Sequence, residues 1–480
     1  MTQSPQIIVI GGGFAGLTAA VALTQRGEKV TLLERRVALG GRARSFPYDS
    51  DGRGDPSGRP YMVDNGQHVF LGCYRNTLQF LKTIGAEENL FFQESLQLKF
   101  RQRGGIESAL RCPRLPSPWH LLLGLWGFRR LRFRDKWSAL KIWGQVLTFD
   151  KKTNSKIFCQ MSRLDPNPPN PLTVTEWLIQ LGQSPLARES LWNPLVIAAL
   201  NESPDLASAN SFLKVLREAF ATPEDSRIGL AGDGLSSLYA DPAHSWLQSH
   251  GATVRLQANV EAIECREKEV VEVILTSGER LSADAYICAI PPRDLAAILP
   301  ERMIESDPAL QNLHHLKASP ILSINLWLDR PIFKEPFVGL LGTKAQWVFN
   351  KSKNEARSRK QEEAFSSCLI PHASCFLYSC IISAAYEFLD QTNEELVTTA
   401  MDELRSCFPE VKDVNLVKSQ VIREPHATLS SAPEIEKLRP AAKTSLKNLV
   451  LAGDWVQTGL PATIESAVLS GYQAAELIRE

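Results

Sequence analysis

A glycine-rich turn between a short apolar run and an alanine- and leucine-rich segment places the strongest constraint on how this chain folds. Residues 6–10 form a β-branched run typical of a buried parallel strand, and residues 17–25 are typical of a helix. Between them, Gly11, Gly13 and Gly16 follow the pattern G-x-G-x-x-G. Glycine at these places permits a tight turn, close approach of the backbone to a pyrophosphate, and packing of the helix on the strand. The sequence therefore predicts a strand–turn–helix unit that binds a dinucleotide.

The residues around this turn complete the predicted binding unit. Phe14 and Ala15 lie where the helix begins, and backbone amides at a helix start attract phosphate. A second predicted strand, residues 29–33, leads into Glu34, eighteen residues after the last glycine of the pattern. A carboxylate at this spacing accepts hydrogen bonds from the adenosine ribose. We include Glu34 and the adjoining Arg35 in the predicted cofactor site.

A second glycine pair favours FAD over NAD as the dinucleotide. Gly40 and Gly41 are followed by Arg42, and Arg44 stands two residues later. Arginine can form bidentate hydrogen bonds with phosphate. Such an arrangement just after the ribose acid recurs in flavoproteins that bind an extended dinucleotide. We therefore predict that Gly41 and Arg42 contact FAD.

The C-terminal end of the chain supplies a matching half-site. Residues 448–452 are predicted to form a strand that runs into Gly453 and Asp454, and a helix begins near Thr463 and Ile464. An aspartate at a strand end can accept hydrogen bonds from the flavin ribityl hydroxyls. The amides and positive dipole end of the helix can face the flavin C2 carbonyl, where negative charge collects on reduction. The two ends of the chain are thus predicted to form one FAD site.

These two ends resemble the FAD-dependent amine oxidase and carotenoid desaturase superfamily. Between them, residues 63–74, which read Val-Asp-Asn-Gly-Gln-His-Val-Phe-Leu-Gly-Cys-Tyr, resemble the squalene-associated FAD-dependent desaturases, now understood as hydroxysqualene dehydroxylases. Residues 191–201 also fit that family, and the resemblance covers essentially the whole chain. Residues 49–60 and 350–363 depart from it, and we interpret both as surface excursions, the second as a solvated charged loop.

The resemblance implies an α/β fold with a discontinuous Rossmann-type FAD-binding domain and a second, α+β substrate domain. The implied FAD-binding domain comprises residues 1–74, 229–299 and 445–480. The implied substrate domain comprises residues 75–228 and 300–444. Val260 is expected near the adenine.

The resemblance also implies a reaction, in which an allylic hydroxyl of hydroxysqualene is replaced by hydrogen to give squalene. The hydroxyl leaves more easily when protonated, and the allylic cation needs walls that exclude water while reduced flavin delivers hydride. We take His68 and Asp64 as candidates for the polar side chains that assist departure of the hydroxyl, because histidine can donate a proton near neutral pH. Alternatively, Asp64 only hydrogen-bonds backbone and His68 is a satisfied internal residue. Tyr74, Asn193 and Asn201 are further pocket candidates.

Charge is evenly balanced over the chain but unevenly distributed along it. The 53 Lys and Arg residues cancel the 53 Asp and Glu residues among 480, which gives no support for nucleic-acid binding. Residues 101–152, however, hold twelve Lys or Arg against three carboxylates, together with four of the ten tryptophans. Basic amphipathic helices with tryptophan suit contact with a membrane surface. The alternative is that these tryptophans lie in the core and the charges are merely solvated.

Other sequence features bear on location and on metal sites. No run approaches the roughly 20 apolar residues of a membrane span, and the N-terminus lacks a secretory signal pattern. The nine cysteines are scattered without a C-x-x-C pair, which indicates neither disulfides nor a metal site. We therefore expect a cytoplasmic protein with reduced thiols. If residues 101–152 contact a membrane, it would be peripheral on the inner face of the cytoplasmic membrane.

Three functions remain open from the sequence. The first is reduction of hydroxysqualene by FAD; the second is desaturation of a polyprenoid such as phytoene; the third is non-catalytic carriage of a prenyl lipid. No second G-x-G-x-x-G follows a predicted strand, so we expect no dedicated NADPH domain. NADPH or another donor would then reduce the flavin transiently.

Overall fold

The computed structural model describes residues 5–48, 61–148, 172–352 and 375–478. Two π-helical stretches, Arg188–Trp192 and Ser236–Ala240, lead directly into the α-helices that begin at Asn193 and Asp241. The α-helices of the described ranges are α1 (Phe14–Gln25), α2 (Arg75–Thr83), α3 (Trp119–Gly127), α4 (Phe133–Thr148), α5 (Val174–Gln180), α6 (Pro185–Ala187), α7 (Asn193–Leu200), α8 (Ala209–Ala219), α9 (Asp241–Ser249), α10 (Pro292–Ile298), α11 (Glu301–Ser306), α12 (Asn393–Cys407), α13 (Pro433–Glu436) and α14 (Ile464–Leu477).

The strands form two large sheets and three small ones. They are β1 (Gln6–Ile10), β2 (Lys29–Leu33), β3 (Ser45–Tyr48), β4 (Tyr61–Asp64), β5 (Phe70–Leu71), β6 (Leu90–Phe92), β7 (Gln97–Gln102), β8 (Glu107–Arg111), β9 (Ile228–Ala231), β10 (Thr253–Arg255), β11 (Val260–Arg266), β12 (Glu269–Leu275), β13 (Arg280–Leu281), β14 (Ala285–Cys288), β15 (Ala318–Leu328), β16 (Phe337–Leu341), β17 (Trp347–Asn350), β18 (Phe376–Ser383), β19 (Leu416–Leu429) and β20 (Leu449–Leu451).

A five-stranded parallel sheet forms one half of the molecule, in the order β10-β2-β1-β14-β20. Its inner strands β1 and β14 are apolar and largely buried, because α1 and α14 cover one face of the sheet and strands β11 and β12, with α10, cover the other. The predicted strand–turn–helix unit is confirmed, with β1 at residues 6–10 and α1 beginning three residues before the predicted helix. The α/β fold class is also confirmed, whereas the domain boundaries remain a prediction.

The first and last helices pack against each other beside this sheet. A Cβ added at Gly471 of α14 would lie 2.4 Å from the Ala15 carbonyl oxygen and 2.9 Å from Thr18 Cβ of α1. Only glycine therefore allows the two helix backbones to approach this closely. The contact brings the two ends of the chain together on one face of the sheet.

A seven-stranded sheet in the order β19-β15-β18-β17-β16-β7-β8 forms the other half, antiparallel except between β16 and β7. Helix α12 buries Leu396, Ala400 and Leu404 against one face. Helices α4, α5, α7 and α8 contribute to a core that includes Trp347 and Ile381 of the other face. Because both faces are covered, the central strand β18 is buried over most of its length.

The structure corrects one sequence interpretation in this sheet. Asn350 and Lys351 were expected in a solvated charged loop, but Asn350 ends β17 and is buried, with its amide donating to the Phe333 carbonyl. Lys351 is half-buried and forms an ion pair with the buried Asp64 carboxylate. The rest of that predicted loop, from residue 353, lies outside the described residues, as do the predicted excursion 49–60 and residues 149–152 of the basic segment.

No helix within the described ranges is both long enough and apolar enough to cross a membrane.

Candidate active site

A cavity of about 580 Å³ lies where the parallel strands end and the antiparallel sheet begins. The carboxyl ends of parallel strands are where ligands bind in open α/β sheets. The structure brings nearly all residues of the predicted cofactor site to its walls, namely Gly11, Gly13, Phe14, Ala15, Glu34, Arg35, Gly41, Arg42, Val260, Gly453, Asp454, Thr463 and Ile464.

Gly16 is the exception, and its surroundings explain why. A Cβ added at Gly16 would lie 1.9 Å from the carbonyl oxygen of Gly11 and 3.2 Å from Ala289 Cβ. These distances leave no room for a side chain, so the helix packs on the strand end only because the residue is glycine. Gly16 thus shapes the turn without lining the cavity.

The two glycine turns, residues 11–13 and 40–41, together form a cradle without side chains. Gly11 adopts φ +106°, and an added Cβ there would lie 2.7 Å from the Ala289 carbonyl oxygen. The Gly40 amide donates to the Gly12 carbonyl at 2.8 Å, and a Cβ at Gly41 would lie 3.1 Å from Gly13 Cα. The turns therefore touch backbone to backbone, which leaves room for a ligand above them.

Glu34 links the two turns from below. Its carboxylate is buried and accepts hydrogen bonds from the amides of Gly12 at 2.8 Å and Arg36 at 2.9 Å. The Arg36 guanidinium in turn donates to the Gly41 carbonyl at 2.9 Å. Arg35 points elsewhere on the rim and pairs with Asp294 at 3.1 Å. Glu34, the carboxylate predicted to bind the ribose, is thus held in place by backbone amides of the turn next to it.

Arg42 and Asp454 were predicted to contact different parts of the cofactor, and the structure pairs them with each other. An Arg42 guanidinium nitrogen lies 2.5 Å from Asp454 Oδ1, and another donates to the Ala427 carbonyl at 3.0 Å. Burial, the largest influence, lowers the pKa of Arg42, but the charge of Asp454, its hydrogen bond and the charges of Glu424 and Asp294 together raise the net pKa. Arg42 therefore stays charged, and the contact with Asp454 fixes it at the cavity wall.

Asn65 fixes the backbone on either side of Arg42, a role that the sequence did not indicate. Its carbonyl oxygen accepts from the Arg44 amide at 3.0 Å, and its amide donates to the Arg42 carbonyl. This buried side chain thereby holds the strand that precedes His68 against the second glycine turn.

Helix α14 begins at the cavity, as predicted. Thr463 is its N-cap, and its hydroxyl accepts from the Ser466 amide at 3.2 Å. The loop before it is held by Arg439, which donates to the carbonyls of Asp454 at 2.8 Å and Val456 at 2.7 Å. Ser470 accepts from the Gly453 amide at 2.8 Å. The helix start and the Asp454 strand end are therefore one rigid unit.

Glu465, next to this helix start, caps a different helix. One carboxylate oxygen accepts from the Asn76 backbone at 2.9 Å and side-chain amide at 2.7 Å. The other accepts from the Thr77 amide at 2.9 Å and hydroxyl at 2.7 Å. A carboxylate at the N-terminus of α2 satisfies amides that lack helical partners. Glu465 thereby anchors α2, and with it Tyr74 at the cavity wall, to α14.

Asp64 does not line the cavity. Its carboxylate accepts from Lys351 Nζ at 2.6 Å, the Ser45 hydroxyl at 2.5 Å and the Leu235 amide at 3.1 Å. Burial raises the pKa of Asp64, but Lys351 and these donors outweigh it, so the net pKa is lowered. An ionised carboxylate that accepts hydrogen bonds from three donors favours a structural role for Asp64 over the catalytic role that the sequence suggested.

His68 lines the cavity and is half-buried within it. Burial lowers its pKa to about 4, with the charges of Arg42 and Lys351 adding to the effect and that of Asp64 opposing it. His68 is therefore neutral at pH 7, in contrast to the expectation of an imidazolium that donates near neutrality. The protein environment, which the sequence cannot reveal, decides this.

The opposite wall of the cavity is mainly apolar. Ala198, Ala199 and Leu200 of α7 meet Ile321 of β15 and Ile381 of β18 there. Such a wall suits a hydrocarbon ligand and excludes water.

Two polar positions interrupt the apolar wall beside Asn201. Ser383 and Thr428 line the cavity, and the Asn201 amide donates to the Thr428 hydroxyl at 2.9 Å. Tyr74 and Asn201 thus line the cavity as pocket candidates, whereas Asn193 does not.

The arrangement fits FAD. Gly13 and Gly41 offer a backbone cradle in which an added Cβ would occupy ligand space, and Glu34 lies beneath it. At the far end, the capped start of α14 offers backbone amides to an electron-rich ring edge. Backbone donors at one end and a helix start at the other match the two ends of an extended dinucleotide.

Comparison with known proteins places this site in a family context. Residues 14–479 match the family described as Flavin containing amine oxidoreductase. The chain is 29% identical over 483 residues to the hydroxysqualene dehydroxylase of Sinorhizobium fredii, covering 98% of this chain and 97% of that protein. It is 25% identical to the 15-cis-phytoene desaturase of an Oncidium hybrid, covering 98% and 77% respectively. Cyclohexylamine oxidase from Brevibacterium oxydans shares the fold, with a TM-score of 0.66 at 15% identity over 99% and 98% of the chains.

Proposed function

This chain belongs to the flavin-containing amine oxidoreductase family, and on that premise we propose that it uses FAD to reduce hydroxysqualene to squalene. The observation that carries the proposal is the cavity itself, in which a dinucleotide cradle continues into an apolar wall. The likeness to the Sinorhizobium fredii hydroxysqualene dehydroxylase supports the choice of substrate. NADPH or another two-electron donor restores the reduced cofactor.

The bond changes balance for this substrate. The allylic C–O bond breaks, a C–H bond forms at the same carbon, and the hydroxyl leaves as water. Reduced FAD, when bound, supplies the hydride and the proton that this exchange consumes. Glu34 and the glycine cradle would hold the nucleotide end, and the capped start of α14 would offer its amides to the ring end. Ala199, Ile321 and Ile381 keep water from the allylic cation.

His68 has a specific place in this proposal. Since its pKa is about 4, its imidazole is neutral and its single N–H is used by the Arg42 backbone, so the other ring nitrogen can accept a hydrogen bond from the substrate hydroxyl and hold it in position. His68→Ala should therefore lower kcat while FAD stays bound, by roughly 100-fold if this hydrogen bond positions the hydroxyl. Near-normal turnover of this variant, with an unchanged flavin spectrum, would remove His68 from the mechanism.

The direct experiment is an anaerobic single turnover. The FAD-loaded protein is reduced, mixed with hydroxysqualene, and the products are separated by chromatography. We expect squalene, together with reappearance of the oxidised flavin spectrum. A parallel reaction of the oxidised protein with phytoene is the control, and no desaturated product is expected from it.

A desaturase that removes hydride from phytoene is the second candidate. The likeness to the Oncidium 15-cis-phytoene desaturase over 98% of this chain supports it, and the same cavity suits it. Conversion of phytoene without conversion of hydroxysqualene would decide for this candidate. A non-catalytic prenyl-lipid carrier is disfavoured, because a carrier has no need of the glycine cradle and the Glu34 carboxylate.

We also propose that the protein works in the cytoplasm as a peripheral membrane enzyme. Its proposed substrate is a hydrocarbon-rich lipid that partitions into bilayers, so the enzyme must collect it there.

A further inference from the structure

Helices α3 and α4 turn large apolar side chains toward the exterior. We call the exposed residues Trp119, Leu123, Trp126, Phe133 and Trp137 the α3–α4 surface. On α3, Trp119, Leu123 and Trp126 recur at helical spacing on one face and are 60%, 49% and 52% exposed. The opposite face of α3 is buried through His120 and Gly124. The tryptophans of this helix are therefore not core residues.

Helix α4 begins with its aromatic side chains turned outward. Phe133 and Trp137, four residues apart, are 61% and 54% exposed. Asp135 on the other side is buried, where its carboxylate accepts from the Ser184 hydroxyl at 2.6 Å and the Arg132 amide at 3.0 Å. Further along, the helix has the usual order and turns apolar residues toward the core. The outward aromatic residues at its start indicate a different medium at this part of the surface.

The exposed rings of Trp126, Phe133 and Trp137 form one continuous patch across the two helices. The ring centroids of Trp126 and Phe133 are 5.4 Å apart, and those of Phe133 and Trp137 are 6.1 Å apart. Lys136 donates to the Trp126 carbonyl and lies 5.9 Å from its ring. Within the described ranges, four of the five exposed large aromatic side chains belong to this surface. Clustering of this kind marks an interaction site.

The charge around the patch identifies what covers it. Residues 111–141 contain eight Lys or Arg residues and one carboxylate, the buried Asp135. Arg129, Arg132 and Arg134 are exposed in the turn between the helices and at the start of α4. Two copies of so basic a surface would repel each other. Aromatic rings beside Arg129, Arg132 and Arg134, which form no ion pair with any described residue, match the level of lipid headgroups, where phosphates meet the acyl chains.

We propose that the α3–α4 surface seats the protein on an anionic lipid bilayer, with its rings at headgroup level and its arginines on lipid phosphates. The proposal deepens the proposed function, since the enzyme would then rest on the phase that dissolves its substrate. It is tested without substrate, so that its failure is separable from failure of the proposed chemistry.

The test uses FAD-loaded full-length protein and flotation with vesicles of phosphatidylcholine alone or mixed with phosphatidylglycerol. We expect binding to the mixed vesicles, weakened by high salt because salt screens the phosphates. Vesicles with brominated acyl chains should quench tryptophan fluorescence of the bound protein. Replacing Trp119, Trp126 and Trp137 by Phe should remove most of this quenching without releasing the protein.

Two triple variants separate insertion from charge. Binding to mixed vesicles should fall at least about tenfold in Trp126→Ser/Phe133→Ser/Trp137→Ser and in Arg129→Gln/Arg132→Gln/Arg134→Gln. The substituted side chains are exposed, so folding, checked by circular dichroism and the flavin spectrum, should be retained. The matched control removes three exposed cations elsewhere, in Lys82→Gln/Arg266→Gln/Lys268→Gln, and should bind as the wild type does.

Several results would overturn the proposal. They are absence of binding to mixed vesicles, equal loss of binding in the control, or full binding by both triple variants. A concentration-dependent dimer that the aromatic variant abolishes, without vesicle binding, would assign the surface to a second copy instead. Turnover in detergent reports on the chemistry independently. Normal vesicle binding without squalene formation would count only against the proposed reaction.

Discussion

The two walls of the cavity are built by different physical means. The nucleotide wall is backbone against backbone, where an added Cβ at Gly11 or Gly16 would lie within 2.7 Å of a carbonyl oxygen. The opposite wall is made of side chains such as Ile321 and Ile381, which can be replaced by side chains of other volumes without displacing the backbone. The first wall therefore tolerates no added side chain, whereas the second is adaptable. Under the proposed function, the first would fix the cofactor and the second would select the substrate.

Gly16→Ala should prevent formation of folded, FAD-loaded protein. The new methyl group would overlap the Gly11 carbonyl oxygen, which belongs to the rigid strand end and cannot yield cheaply. Gly144→Ala is the matched control, because an added Cβ on that α4 residue meets nothing within 4 Å. Flavin content and thermal unfolding measure the outcome. A Gly16→Ala protein that binds FAD normally would contradict the backbone-contact account of the nucleotide wall.

Lys351→Met should lower the free energy of unfolding by about 3–5 kcal/mol, because it leaves the buried Asp64 carboxylate without its cation. This ion pair joins the end of β17 in the antiparallel sheet to β4 beside the nucleotide wall. The double variant Asp64→Asn/Lys351→Met removes both charges and should recover much of the loss in urea unfolding. Equal stability of the single and double variants would show that the pair is not coupled.

Glu465→Ala should cost about 1–3 kcal/mol, since four donors at the start of α2 lose their acceptor in a buried place. Turnover should fall as well, because α2 begins directly after Tyr74 at the cavity wall. Glu476→Ala on the exposed side of α14, the helix that carries Glu465, is the control and should change neither stability nor turnover. If both variants unfold at the same urea concentration, the cap does not stabilise α2.

Ile381→Val should cost about 0.5–1.5 kcal/mol in stability, the usual effect of one buried methyl group. FAD binding should stay unchanged, because the substitution affects only the adaptable wall. The ratio of turnover with substrates of different chain length should shift instead. Loss of FAD from this variant would show that the two walls are not independent.

His68 should have the smallest effect on stability, visible only in the pH dependence of unfolding. Its pKa is about 4 in the folded protein and ordinarily 6.5, so between these values the unfolded chain binds a proton that the folded protein does not. The free energy of unfolding therefore falls as the pH is lowered from 6.5 toward 4. Urea unfolding of His68→Gln should show a shallower fall than the wild type, whereas exposed His315→Gln should not. A parallel fall in all three proteins would mean that His68 titrates normally.

The nucleotide wall was predictable because its signals are local. Gly11, Gly13 and Gly16 stand within one turn, and Glu34 follows at a spacing set by one helix and one strand. The role of Lys351 was not predictable, since it pairs with a residue 287 positions away, and the charged run around it misleadingly indicated a solvated loop. Glu465 and the Thr77 amide are separated by 388 positions, and nothing in either local sequence indicates a cap.

The sequence by itself determined the parallel-sheet fold, the FAD half-sites and the family, because glycine patterns and β-branched runs act through the local backbone. It also located the basic, tryptophan-rich segment, but not which way its rings point. Only the tertiary structure decided that Trp126 and Trp137 face outward while Asp135 faces inward. The same holds for the charge states of Asp64 and His68, because burial and neighbouring charges depend on residues that are distant along the chain.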